Sequence, residues 1–263
     1  MHDWKGRPMK IKDLRIIVTG AASGMGRTFA LSLAREGAQV AACDVNRDAL
    51  ETLKKDSRGA EGCIQTFVAN VAVEKDVQAL VSEAASAFGS INALINNAGI
   101  FRDSLLVKKD KETGKVKSMS LAQWQAVIDV DLTGPFLCTR EVATHMIKNN
   151  IKPGVIINIS SISRHGNPGQ SNYSAAKAGL VADTKLWAVE LARYGIRTGA
   201  IAPGFVQTPI LEGMRPEVLE KMVRVVPLRR TGTPEEIFAG IRFIVECDYF
   251  TGKVLDIDGG MSL

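Results

Sequence analysis

The chain has 263 residues, of which 46% are hydrophobic and 23% are charged, and its formal net charge is +5 at pH 7. This composition predicts a folded globular protein and excludes a disordered chain. No run approaches the roughly 18 apolar residues of a membrane-spanning helix, and the basic residues are scattered, so we expect no membrane and no nucleic-acid partner.

Short apolar runs alternate with longer amphipathic stretches along the whole sequence. Strands are predicted at residues 14–18, 39–43, 63–69, 91–95, 155–159, 196–202 and 253–257. Helices are predicted between them, ending at 35 and covering 48–55, 73–88, 121–148 and 171–193. The alternation predicts an α/β fold, a doubly wound seven-stranded parallel sheet flanked by helices, in a single domain over 1–263.

Two segments interrupt this alternation. Residues 102–118 are polar and carry five lysines, and they predict a β-hairpin that turns near Thr113 and Gly114. The lysines fit either an anionic partner or a solvated surface hairpin, and we favour the solvated hairpin. Residues 204–233 are too long for a plain connection, so we expect a substrate lid. Its apolar face would comprise Phe205, Ile210, Leu211 and Met214.

The N-terminus and the cysteines bear on the cell compartment. The N-terminus lacks the apolar core of a secretion signal. The cysteines at positions 43, 63, 138 and 247 have no CxxC spacing and no histidine neighbours. We therefore expect no metal site, no disulfides and a cytoplasmic protein.

A glycine-rich loop follows the first strand. It reads Thr19-Gly-Ala-Ala-Ser-Gly-Met-Gly26 and leads directly into a helix. Glycine lets the backbone turn tightly and approach a pyrophosphate, while the helix points its first amides at the phosphates. The strand before and the helix after predict a dinucleotide site.

The second strand ends in Asp44, 24 positions beyond Gly20. A carboxylate there can accept hydrogen bonds from both ribose hydroxyls and repel a 2′-phosphate. Ser23 leaves no basic residue just before Gly24, whereas Arg47 could reach a 2′-phosphate. We expect NAD(H) to be preferred over NADP(H).

Chemistry is predicted at Tyr173 and Lys177, which lie four positions apart on one predicted helix. A nearby cation stabilises a phenolate, which would lower the tyrosine pKa and let it act as a general acid or base. Polar and glycine motifs follow three strands at the same sheet edge, namely Asn96-Asn97-Ala98-Gly99, Ser160-Ser161 and Pro203-Gly204.

Together with the ending Asp256-Ile-Asp-Gly-Gly260, these motifs resemble the short-chain dehydrogenase/reductase family over nearly the whole chain. The stretch 166–179 looks most like the 3-oxoacyl carrier-protein reductases and their alcohol-dehydrogenase relatives in that family. The resemblance implies a Rossmann-like fold, a homotetramer, and hydride transfer by a nicotinamide cofactor.

The resemblance also implies residue roles. Tyr173 would exchange a proton with the substrate oxygen, Lys177 would lower the tyrosine pKa, and Ser161 would hydrogen-bond the oxygen. Asp131 would belong to the catalytic set. The cofactor residues implied are Gly20, Ser23, Gly24, Met25, Gly26, Asp44, Val45, Asn70, Val71, Asn97, Ala98, Gly99, Tyr173, Lys177, Pro203, Gly204, Val206 and Thr208.

The sequence departs from the family pattern at two places. The family's commonest spacing to the tyrosine selects Ser160, whereas alignment by the strand end selects Ser161, which we choose. Asp131 stands where relatives usually have asparagine. Its negative charge near Lys177 would raise the lysine pKa and alter the pH profile while activity survives.

Three functions are compatible with these features. We favour an NAD(H)-dependent oxidoreductase that interconverts a secondary alcohol and a ketone, both small molecules. The first alternative is a 3-oxoacyl-ACP or coenzyme-A thioester reductase, in which Lys152 and Arg193 could dock an acidic acyl-carrier protein. The second is a catalytically impaired nucleotide-binding regulator, suggested by Asp131. His165 lies in the loop after Ser161 and could face the substrate.

Overall fold

The computed structural model describes residues 8–208, 211, 213 and 216–261. Its strands are β1 (Arg15–Thr19), β2 (Gln39–Asp44), β3 (Cys63–Val68), β4 (Ala93–Asn96), β5 (Val107–Lys109), β6 (Val116–Ser118), β7 (Gly154–Ile159), β8 (Ile196–Pro203) and β9 (Lys253–Ile257). Seven of these form a parallel sheet in the order β3-β2-β1-β4-β7-β8-β9. Successive strands are added to one side of β1 up to β3 and to the other side from β4 onward. Ligands of open sheets of this kind bind at the point where the strand order switches, here between β1 and β4.

Helices cover both faces of the sheet. They are α1 (Gly24–Arg35), α2 (Arg47–Asp56), α3 (Glu74–Phe88), α4 (Leu121–Ile128), α5 (Gly134–Lys148), α6 (Ser171–Leu191), α7 (Pro216–Arg224) and α8 (Pro234–Glu246). The apolar side chains of α1 and α8 pack in one core cluster, and those of α3 and α5 pack in the other. Because both faces are buried, the central strands are largely apolar, and every residue of β7 is buried, including Asn158. The predicted doubly wound single domain is confirmed.

The predicted helix over 121–148 is wrong in one respect, because the structure divides it. Helix α4 ends at Ile128, a π-helical turn covers Asp129–Thr133, and α5 begins at Gly134. A π turn holds one residue more than an α turn and occurs frequently at functional sites. Pro135 in the first turn of α5 lacks an amide donor, which is tolerated only where the helix begins anew. The widened turn leaves the Asp131 side chain fully buried.

The two irregular segments differ in how they are built. Strands β5 and β6 form an antiparallel hairpin with Lys108 opposite Lys117, and Gly114 has a φ of 67° in its turn. In the 204–233 segment, Val206 forms a β-bridge with Gly232, and α7 lies between them. Ile210 and Met214, predicted for the lid face, lie outside the described residues. Within the described ranges, no helix is both long enough and apolar enough to cross a membrane.

Candidate active site

The polar side chains predicted to meet at one sheet edge do so around the start of α6. Tyr173 and Lys177 are buried on consecutive turns of this helix, with Lys177 Nζ 5.4 Å from the centre of the tyrosine ring. The ammonium group donates a hydrogen bond to the carbonyl oxygen of Ile159, the last residue of β7, at 3.1 Å. Lys177 is therefore held at the carboxyl end of the sheet.

Asp131 completes a buried cluster of charges. Its Oδ2 lies 3.2 Å from Lys177 Nζ, and its Oδ1 accepts a hydrogen bond of 2.8 Å from the backbone N–H of Ile100. A side chain at Gly99 would not fit, because an added Cβ would lie 2.7 Å from Asp131 Oδ2. The π turn thus brings Asp131 against both the lysine and the loop after β4.

These contacts change the pKa of each group. Burial opposes the charged form of Lys177, but the neighbouring Asp131 carboxylate and Tyr173 raise its pKa above the ordinary value, as predicted. Burial raises the pKa of Asp131, and Lys177 offsets this only in part. Burial also raises the pKa of Tyr173 against the opposing effect of Lys177. The predicted lowering of the tyrosine pKa is therefore wrong for this structure, because desolvation outweighs the cation.

The structure separates the two candidate serines. The Ser160 hydroxyl is buried and donates a hydrogen bond of 2.9 Å to the backbone carbonyl of Lys177. The Ser161 hydroxyl is close enough to the Tyr173 phenol to lower its pKa, and it accepts a hydrogen bond from the N–H of Ser163. Ser161 is thus placed beside the phenol, whereas Ser160 faces the protein interior.

Two residues near Tyr173 were missed by the sequence analysis. The Phe101 ring lies 4.6 Å from the Tyr173 ring, centre to centre, and 42% of the residue is exposed. Asn172 is fully buried, and its amide donates to the carbonyl oxygens of Gln123 and Arg102 at 3.0 and 3.3 Å. The only available signal was position, since Asn172 directly precedes the tyrosine and Phe101 follows the Asn96–Gly99 motif.

The glycine loop has the shape that a dinucleotide pyrophosphate requires. Gly20 and Gly24 have φ values of 64° and 51°. A Cβ on Gly20 would lie 2.8 Å from Ala98 Cα, and one on Gly26 would lie 2.1 Å from the Gly20 carbonyl oxygen. Ser23 is the exposed N-cap of α1 and its side chain makes no capping bond, so it leaves the first amides of the helix free to bind a phosphate. The glycine loop therefore fits the pyrophosphate of a dinucleotide.

The other predicted cofactor residues fall into three groups. The first is fixed to β1: the amides of Asn97 and Ala98 donate to Thr19 Oγ1, and Asn97 Nδ2 donates to the carbonyls of Thr19 and Gly20. The second group lies at the end of β8 and just after it. Thr208 of this group lies beside Gly24 of the glycine loop, and the N–H of Gly204 donates a hydrogen bond to the carbonyl of Ile257. Also in this group are Pro203 and Val206, both buried.

The third group lies beyond β2 and β3. Val45 is 65% exposed after β2, and Asn70 Oδ1 accepts a hydrogen bond from the N–H of Ala72. Val71 is buried against Gly134, the first residue of α5. Met25 is partly buried and packs against the core cluster that contains the apolar side chains of α1. His165 is exposed on a single 3-10 turn, and the described residues contain no cluster of three or more metal-ligating side chains.

Asp44 is bound to the glycine loop itself. Its Oδ2 accepts the N–H of Ala22 and its Oδ1 accepts the N–H of Asn46, both at 3.0 Å. The carboxylate therefore organises the backbone on either side of the expected ribose position. Arg47, three residues farther along, is exposed at the first turn of α2.

Known proteins match this chain over nearly its whole length. A family model described as Enoyl-(Acyl carrier protein) reductase matches residues 20–262. The 3-oxoacyl-(acyl-carrier-protein) reductase FabG of Thermotoga maritima is 41% identical over 258 residues, covering 97% of this chain and all of the relative. Similar reductases from Synechocystis sp. and Staphylococcus aureus are 42% and 38% identical, over 94% of this chain and 96% and 97% of their own lengths.

These relatives correct the predicted cofactor. The expected preference for NAD(H) over NADP(H) is wrong, because 3-oxoacyl-(acyl-carrier-protein) reductases are typically NADPH-dependent. The inference treated the Asp44 carboxylate as free to select a ribose. Each of its oxygens also accepts a hydrogen bond from a backbone amide, so an aspartate at this position has a structural role besides any contact with the ribose.

The glycine loop, the buried tyrosine and lysine of α6 and the Asn96–Gly99 motif all meet at the carboxyl edge of one parallel sheet. The chain belongs to the short-chain dehydrogenase/reductase family of oxidoreductases.

Proposed function

We propose that this protein reduces the 3-oxo group of an acyl thioester carried on an acyl-carrier protein, with NADPH as the reductant. The observation that carries the proposal is the Tyr173 phenol beside the Ser161 hydroxyl, with Lys177 Nζ 5.4 Å from the centre of the tyrosine ring, in a chain 41% identical to a reductase of this name. The relatives favour this thioester reductase over the secondary-alcohol dehydrogenase preferred from the sequence.

Tyr173 acts as the acid in this reaction. When bound, NADPH supplies the hydride that the carbonyl carbon receives. The phenol then gives its proton to the carbonyl oxygen, so that the ketone becomes a hydroxyl. Because burial raises the pKa of Tyr173, the phenol is protonated at neutral pH, which is the state that reduction requires.

Ser161 and Lys177 stabilise the charges that arise during this proton transfer. The Ser161 hydroxyl donates a hydrogen bond to the carbonyl oxygen as negative charge develops there. Lys177, whose pKa is raised, remains a cation and stabilises the phenolate left on Tyr173. Asp131 and the Ile159 carbonyl position the ammonium group.

The substrate would lie between the 161–169 loop, the base of the hairpin segment at Ser104 and the lid segment 204–233. Ser104 N donates to the Gly169 carbonyl at 2.8 Å, so the first two of these segments are already joined. The homotetramer and the cytoplasmic location stay predictions.

The experiment follows NADPH oxidation with acetoacetyl-acyl-carrier protein and with the acetoacetyl thioester of N-acetylcysteamine. Tyr173→Phe should lower kcat by about 10² to 10⁴-fold while leaving NADPH binding within a few-fold. Tyr249→Phe is the matched control, because Tyr249 is fully exposed. If the wild type reduces neither thioester but oxidises secondary alcohols, the proposal is wrong.

A further inference from the structure

The hairpin formed by β5 and β6 is not used by the chemistry described above, yet it concentrates charge. Residues 107–118 contain five lysines and only two acidic residues, Asp110 and Glu112. Asp110 is engaged in the turn, where its Oδ1 accepts hydrogen bonds from the N–H and hydroxyl of Thr113. The surface of the hairpin is therefore positive.

The register places like charges against each other. Lys108 is directly opposite Lys117, so both ammonium groups lie on one face of the two-stranded ribbon. Like charges in directly opposed positions destabilise a hairpin. An anionic partner on that face would neutralise the two charges, whereas water and salt only screen the repulsion between them.

Exposed apolar residues accompany the lysines. Val107 and Val116, on the other face of the ribbon, are 59% and 66% exposed. Leu105, Leu106 and Leu121, at the base of the hairpin and the start of α4, are 46%, 67% and 78% exposed. Apolar contacts combined with charge are typical of a protein interface and exceed what a solvated loop needs.

The base of the hairpin is fixed to the catalytic helix. Asp103 Oδ2 accepts a hydrogen bond of 2.9 Å from Gln170 Nε2, the residue before α6. The carbonyl of Arg102 accepts from Asn172, and Phe101 contacts the Tyr173 ring. The hairpin therefore stands beside the entrance to the tyrosine.

The basic residues considered in the sequence analysis are on the other side of the molecule. Lys152 lies next to Gly195, just before β7, and Arg193 lies just before β8. Both are at the amino ends of their strands, whereas Tyr173 and Ser161 are at the carboxyl ends. A carrier docked there would be at the wrong edge of the sheet.

We infer that the β5–β6 hairpin docks the acyl-carrier protein through an acidic surface of that partner. The inference rests on the proposed function for the identity of the partner. The lysine face would supply charge complementarity, and the exposed leucines at the base of the hairpin would supply the apolar contact near the substrate entrance.

The test reverses both opposed charges in the variant Lys108→Glu/Lys117→Glu. Two glutamates at the opposed positions repel each other as the two lysines do, so the repulsion within the hairpin is matched while the sign of the charge on its face is reversed. Lys54→Glu/Lys55→Glu is the control, with the same change in net charge at the exposed end of α2. Binding of acetoacetyl-acyl-carrier protein is measured by fluorescence anisotropy, and turnover is measured with it, with acetoacetyl-coenzyme A and with the N-acetylcysteamine thioester.

The hairpin variant should bind the carrier and use it as substrate at least tenfold less well than the wild type and the control. Turnover of the N-acetylcysteamine thioester should change less than twofold, and the salt dependence seen with the carrier should weaken. Equal losses with all substrates, or a loss confined to coenzyme A, would overturn the inference. So would unchanged carrier binding. Failure of the wild type with every thioester would refute the proposed function instead, and carrier binding by wild type and variant would still decide the docking.

Discussion

Replacing Asp131 by asparagine tests the buried charge cluster most directly. The side chain keeps its shape and can still accept the Ile100 N–H, but Lys177 loses its counter-charge. Coulomb's law gives about 5 kcal/mol for unit charges separated by the 3.2 Å between Asp131 Oδ2 and Lys177 Nζ, at an effective dielectric constant of about 20. The asparagine dipole recovers part of this, so we expect a loss of about 3 kcal/mol in the free energy of unfolding at pH 7.

The pH dependence of that loss has a definite sign. In the wild type the pKa of Lys177 is raised, so its contribution to stability is complete below pH 10.5 and is lost as the pH rises through the folded-state pKa. Asp131, whose pKa is also raised, contributes stability below pH 3.8 that is lost as the pH rises. Neither group makes the wild type more stable with increasing pH.

Without Asp131, burial dominates and the pKa of Lys177 falls below its ordinary value. The unfolded chain then binds more protons than the folded one, so stability of the variant should rise between pH 7 and pH 10. Urea unfolding at intervals across this range measures the effect. Asp129→Asn is the control, since Asp129 accepts its hydrogen bond from Gln125 near the surface. Activity of Asp131→Asn should also decline earlier on the alkaline side, because an uncharged Lys177 no longer stabilises the phenolate.

The reasoning is refuted if Asp131→Asn unfolds within about 0.5 kcal/mol of the control, the range of ordinary surface substitutions. A parallel pair of stability curves from pH 7 to 10 would refute it equally, because the lysine charge would then be independent of the carboxylate.

Three further predictions concern the rest of the site. Asp44→Asn should weaken binding of NADH and NADPH alike in a fluorescence titration, and lower the free energy of unfolding by about 1.5 to 3 kcal/mol, because both carboxylate oxygens hold backbone amides; a gain in NADPH binding alone would contradict this. Ser161→Ala should lower kcat by about 10² to 10³-fold, whereas Ser160→Ala should keep kcat within a few-fold and cost about 1 kcal/mol in urea unfolding; the reverse pattern would exchange their roles. Phe101→Ala should raise KM for the acetoacetyl thioester more than it lowers kcat, because the exposed ring borders Tyr173 without carrying a proton; equal losses in kcat and kcat/KM would assign it to the transition state instead.

The sheet and its helices could be predicted because burial on both faces leaves a direct trace in the sequence. Strand β9 was predicted with its observed bounds, and β7 and β8 within one residue. The π turn left no such trace. One additional residue barely disturbs the apolar periodicity of 121–148, so the pattern still predicted one helix where Asp129–Thr133 forms a wide turn.

The sequence predicts which residues of the site lie close together, but not how their side chains are oriented or how their pKa values shift. Spacing alone places Tyr173 and Lys177 on one helix face, and parallel strands bring Ser161 to the same edge. Which of two adjacent serines faces the phenol depends on the backbone after β7. The direction of the Tyr173 pKa depends on how deeply the ring is buried, which no spacing reveals.

The aspartate at position 131 shows how these two limits meet. A buried carboxylate without partners is costly, and the residue type alone suggested an impaired enzyme. The π turn, the close approach allowed by Gly99 and the Ile100 N–H together provide partners for the carboxylate. Held in this way, Asp131 keeps Lys177 charged, and a charged lysine is what an acid with a high pKa, such as Tyr173, requires after it has given up its proton. Aspartate in place of the family's usual asparagine is therefore compatible with reduction, because the carboxylate keeps Lys177 positively charged and proton transfer depends on that charge.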